Sequence, residues 1–200
     1  MKRTFKITAA FLGIAAMGIP LAGAVNSNHI STHDSRAALG PAIESTPAQK
    51  EATALLKQVA ANARATAGHA ATLESFARGR QVSLETHAYE LNRARGVVNT
   101  MGADLARLQE LHAEALPWQQ MVINQLQPML SGLADHTTDA IEGLNANPGL
   151  LPLGEYRDAI AGMSDRSDEV RNLISANVDY AKASEKLNRL DADSAMKGAA

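Results

Sequence analysis

Cysteine is absent from the 200-residue chain. That excludes a disulfide framework, a thiolate zinc or iron–sulfur centre, a cysteine nucleophile, attached c-type haem and an N-terminal lipoprotein anchor. Aromatic residues make up only 4% of the chain, whereas 38 residues are alanine. Such a composition favours helices over β-architecture, which draws on aromatic and β-branched side chains. A formal charge of only -2 argues against a dedicated nucleic-acid binder, which is usually basic. Catalytic motifs are missing too. There is no Gly-x-Ser-x-Gly elbow, no Walker A or Gly-x-Gly-x-x-Gly loop and no His-Glu-x-x-His helix. Ser184 lacks the Ser-x-x-Lys spacing, because Glu185, Lys186 and Leu187 follow it. The chain therefore does not read as an enzyme, and no cofactor motif is present.

What is there begins with a leader. Lys2, Arg3 and Lys6 form a basic start, residues 7–21 are apolar up to and past Pro20, and Ala22-Gly23-Ala24 supplies the small residues a signal peptidase reads. The pattern predicts a secretory signal peptide over residues 1–24, cleaved after Ala24, and a periplasmic or secreted mature protein. No later stretch is long and apolar enough to span a bilayer, so no membrane span is expected after cleavage. Loss of the three basic leader residues leaves 16 basic against 21 acidic residues, a mature charge of -5.

Residues 25–46 are polar and aperiodic and read as a flexible lead segment. Its His29 and His33 are spaced i, i+4 but fall outside any predicted helix. Thr46 then offers an N-cap with Pro47 at the first helical position. Ala52, Leu56, Val59, Ala63, Thr66, Ala70, Leu73 and Ala77 recur in steps of four and three, a heptad seam. Arg78-Gly79 predicts a stop with glycine in the left-handed conformation. Ser83 caps a second helix whose seam runs Leu84, His87, Leu91, Ala94, Val98, Met101, Leu105, Leu108, His112, Ala115, with Pro117 ending or kinking it. A third stripe is Val122, Leu126, Met129, Leu133, His136, Ala140, Leu144, with a kink or split expected at Pro128. Residues 145–154 read as a loop. The last helix spans about 155–190 with a stripe of Tyr156, Ile160, Met163, Ser167, Val170, Ile174, Asn177 and Ala181, and residues 191–200 read as a disordered tail. The predicted fold is all-α: an elongated up-down bundle of about four helices over residues 47–190, with alanine-rich seams.

Four histidines, His69, His87, His112 and His136, fall on the first three predicted helices, two of them on the second, and three lie on the seams. Neutral imidazoles from several helices facing one core are the ligands a haem or metal would use. A hairpin turning near Gly79 sets His69 and His87 at similar heights, which makes them the candidate metal pair. The Glu-x-x-His motif of di-iron bundles is absent.

Charge is uneven along the chain. Six arginines (64, 78, 80, 93, 95, 107) face four acids between residues 64 and 107, whereas residues 108–156 hold six acids and no Lys or Arg. Arg78, Arg80, Arg93 and Arg95 form a candidate cationic interaction patch. Trp118, beside Pro117 at a predicted bundle tip, is either a partner anchor or a cap on the core. These features predict an exported, non-enzymatic bundle acting on a protein partner or by self-association, as an adaptor, chaperone-like binder or envelope component. A haem- or metal-binding bundle and a homo-oligomeric coiled coil are the alternatives.

Overall fold

The computed structural model describes residues 45–79, 82–146 and 154–198. The leader, nearly all of the lead segment with His29 and His33, Arg80 and most of the predicted 145–154 loop lie outside the described residues. Four helices follow in order: α1 Pro47–Arg78, α2 Leu84–Glu110, α3 Pro117–Ala146 and α4 Glu155–Gly198, with a 3-10 turn at His112–Glu114. Among the described residues there is no strand. Helix α1 packs on α2 and α4, and α3 packs on α2 and α4. The result is a four-helix bundle in which chain neighbours are also spatial neighbours, as short up-down connections dictate.

The start of α1 follows from its sequence. The Thr46 hydroxyl accepts the Gln49 N–H at 3.2 Å, and the Gln49 side chain accepts the Thr46 N–H at 3.1 Å, a reciprocal capping box with Pro47 at the first turn. All eight residues of the α1 seam are buried. Gly79 stops the helix in another way than its type suggested. It has φ -85° and ψ 122°, extended rather than left-handed, and its N–H donates to the carbonyls of Ser75 and Phe76. Ser83 caps α2 by accepting the Thr86 N–H at 3.3 Å.

The second helix is shorter than its apolar pattern. It ends at Glu110, so His112 and Ala115 sit in the connection rather than on the seam. Leu111 and Ala115 are nonetheless buried, because they close the end of the core. Pro117 starts α3 and neither ends nor kinks α2. Leu116 lies between the 3-10 turn and α3, and Pro117, whose fixed φ suits a first helical turn, takes the first position of α3. Pro128 does not split α3. It faces solvent, where water serves the carbonyl that its missing N–H leaves free. The buried line of α3 runs Gln119, Val122, Ile123, Leu126, Leu130, Leu133, Thr137, Ala140, Ile141, Leu144. Leu130 and Thr137 thus take the inner positions expected for Met129 and His136.

Two buried polar contacts cross the bundle diagonally, one at each end. Gln119 of α3 is fully buried and donates through Nε2 to the Gln49 carbonyl and the Thr53 hydroxyl of α1, both at 2.8 Å, while its Oε1 accepts the Leu116 N–H at 2.7 Å. At the opposite end His87 of α2 meets Tyr156 of α4, Nδ1 to hydroxyl, at 2.8 Å. Between them, the buried hydroxyls of Thr66, Thr137 and Ser167 donate to the carbonyl four residues back. These hydroxyls and the Gln119 amide are placed where helix ends or neighbouring carbonyls satisfy them.

Helix α4 outruns the bundle. Antiparallel pairing of α3 with α4 sets Gly143 beside Tyr156, His136 beside Gly162 and Gly132 beside Arg166. Continued at the same register, Pro117 falls opposite about residue 181 by the common helical rise. Among the described side chains Val178 is the last buried one of α4, yet the helix continues to Gly198 through residues predicted to be a disordered tail.

Candidate functional site

His69 Nδ1 lies 2.7 Å from Glu90 Oε1, bridging α1 to α2, and the other Glu90 oxygen is 3.7 Å from Arg93 Nη1. His87 is fully buried, edge-on to Phe76 at 5.5 Å between ring centroids and tilted against Tyr156 at 5.6 Å. Burial pushes the His87 pKa below its usual value and the Tyr156 pKa well above its own, so both groups are neutral near pH 7. His87 Nε2 is buried without a partner. Each imidazole of the proposed metal pair is therefore engaged through Nδ1 by a different partner. Among the described residues, no group of three or more His, Asp or Glu is arranged to hold a metal ion.

The other two histidines also take separate places. His112 is half-buried in the 3-10 turn, with Nε2 lacking a partner. The His136 ring lies over Gly162, so close that a Cβ there would stand 2.6 Å from it. Asp104 is a further buried polar group. Gln58 donates to its Oδ1 at 3.4 Å, Oδ2 has no partner, and burial raises its pKa. On the surface above it, Arg107 bridges Glu51 and Glu110 at 2.7 Å each, and this hydrogen bond holds the Glu51 carboxyl below its usual pKa.

The arginine patch is largely spoken for within its own helices. Arg78 pairs with Glu74, and Arg93 sits beside Glu90 with its guanidinium 5.9 Å from the Tyr89 ring centroid. Arg95 is half-buried on α2, and Arg80 lies outside the described residues. Trp118 is half-buried and packs against the core at the first turn of α3. A surface depression of about 270 Å³ between Glu74, Arg157, Asp158 and Ala161 carries charges of both signs and no histidine.

The surface feature that stands apart is the far end of α4. Tyr180, Leu187, Leu190 and Met196 are 72%, 61%, 53% and 68% exposed. At about 100° per residue, Ala176, Tyr180, Ala183, Leu187, Leu190 and Ser194 form one stripe on the side of α4 opposite Met163, Val170, Ile174 and Val178. The helix thus carries two apolar faces, one inside the bundle and one outside it. The signal for the outer face was present in the sequence as heptad spacing from Tyr180 to Leu187 and on to Ser194. It was hidden by the inner stripe, which overlaps it along the chain. Gln119 had no such signal, since a glutamine beside Gln120 does not announce burial.

Fold and surface together define an antiparallel four-helix bundle with one overlong helix. No family model matches the chain, and no curated protein or solved structure matches it either.

Proposed function

We propose that this chain is an exported, non-enzymatic helical-bundle protein that acts through protein–protein contact, as an adaptor, chaperone-like binder or structural component of the envelope. The single observation that carries the reading is the apolar outer face of α4, which begins on the bundle and runs beyond it with Tyr180, Leu187 and Leu190 all more than half exposed. Isolated exposed leucines are ordinary on protein surfaces, but a stripe at heptad spacing on an otherwise charged helix is a surface shaped for a partner helix. The basic start, apolar stretch and small-residue end of residues 1–24 support export.

Photo-crosslinking in the native cell tests the reading. A benzoylphenylalanine at Leu187 is expected to give discrete covalent adducts, and one at the exposed Ala106 of α2 is not. A Leu187 probe that yields no adduct, or the same diffuse products as the Ala106 probe, contradicts it. N-terminal sequencing of the exported protein checks the leader: the first residue is expected to be Val25, and a retained Met1 contradicts cleavage.

A further inference from the structure

We infer that the occupant of the outer face of α4 is a second copy of this chain, paired antiparallel through the projecting end of the helix. The inference rests on the reading of that face as an interaction surface. In heptad terms Tyr180, Leu187 and Ser194 take one core position and Ala183, Leu190 and Lys197 the other. An antiparallel two-fold pairing sets Leu187 of each copy against Leu190 of the other, Ala183 against Ser194, and Tyr180 against the Lys197 ammonium, which an aromatic face accommodates.

The charges beside the stripe agree. Asp179 with Lys182 and Glu185 with Arg189 form ion pairs within the helix. Lys186 and Asp193 have no such partner among the described residues. In the antiparallel register these two occupy the same flanking position, so Lys186 of one copy faces Asp193 of the other, twice by symmetry. Parallel pairing would instead stack Lys197 on Lys197 at the core. It would also press the two bundles together, because the stripe starts at Ala176 on the bundle's own outer surface. The antiparallel arrangement sends the bundles to opposite ends.

Sedimentation of the purified chain over a wide concentration range is the test, with circular dichroism as the control for folding. Wild type is expected to move from monomer to dimer. Leu187→Asp with Leu190→Asp is expected to weaken association about 100-fold or more while the bundle melts as before, since both leucines lie outside the core. Lys186→Asp is expected to weaken it less, and adding Asp193→Lys to restore it. The absence of native cysteine makes orientation readable. Mixed Ala183→Cys and Ser194→Cys chains are expected to form a disulfide. Ser194→Cys alone is not, since its two copies would sit ~16 Å apart along the pair, beyond the ~7 Å limit for a disulfide.

A monomer at every concentration overturns the inference, as does a dimer unaffected by the leucine substitutions or efficient self-linking of Ser194→Cys. A chain that stays monomeric yet crosslinks a different protein through Leu187 overturns self-association and leaves the interaction reading standing.

Discussion

His87 shows how one residue couples core polarity to pH. The pair it forms with Tyr156 ties α2 to α4 across the bundle at 2.8 Å. Tyr156→Phe removes the partner and leaves a buried imidazole nitrogen unmet, at an expected cost of about 1–3 kcal/mol in urea unfolding. Adding His87→Leu should recover part of that loss, because an apolar pair needs no partner. The folded pKa of His87 lies below its unfolded value near 6.5. The unfolded chain therefore binds the proton first as pH falls, and stability present above about pH 6.5 declines below it. Asp104 works in the opposite sense and at lower pH, since its raised pKa makes the folded state the better proton acceptor above pH 3.8. Wild type is expected to lose stability between pH 7.5 and 5.5, and the His87→Leu/Tyr156→Phe protein to lose less. Equal losses in the two proteins would contradict the assignment.

Among the helices, the seam and start of α1 were legible because nothing interrupts its heptads and Thr46 and Pro47 mark its cap, whereas the extended conformation of Gly79 was not. Helix α2 is shorter than its seam: His112 and Ala115 keep the period, but the helix stops at Glu110, and Leu111 and Ala115 close the bundle end. In α3 the period leaves adjacent choices at 129 and 130 and at 136 and 137, and the structure buries Leu130 and Thr137. The Thr137 hydroxyl is satisfied by the Leu133 carbonyl at 2.7 Å, which a pattern of apolar residues cannot register. Glycines also separate by place. A Cβ at Gly68, Gly96 or Gly102 meets nothing within 4 Å. Alanine at each should stabilise by about 1 kcal/mol through helix propensity, additively, as read by thermal or urea unfolding. Gly162→Ala should do the reverse, at a cost of about 1–3 kcal/mol, because the His136 ring fills the space. His136→Ala in the same chain should relieve it.

For the whole molecule, the bundle was readable from composition and period, whereas the partners of the histidines were not. Histidines at similar heights on neighbouring helices point wherever local partners draw them, and here Glu90 draws one and Tyr156 the other. Spacing along a helix carries no information about partners on the next. The length of α4 escaped for a related reason. Residues 191–197 contain no proline or glycine, but no described residue among them is fully buried, so an apolar-period reading ends at Leu190. Beyond Val178 the helix gains little from packing within the bundle, where most helical stability originates. The partner proposed for the outer stripe would supply that packing.

Amide hydrogen exchange at residues 185–197, followed as a function of protein concentration, tests that account most directly. Protection there is expected to rise with concentration as copies pair, while the amides of Leu56 and Leu126 in the core exchange equally slowly throughout. Rapid exchange in 185–197 at every concentration, or protection that does not change on dilution, would contradict it.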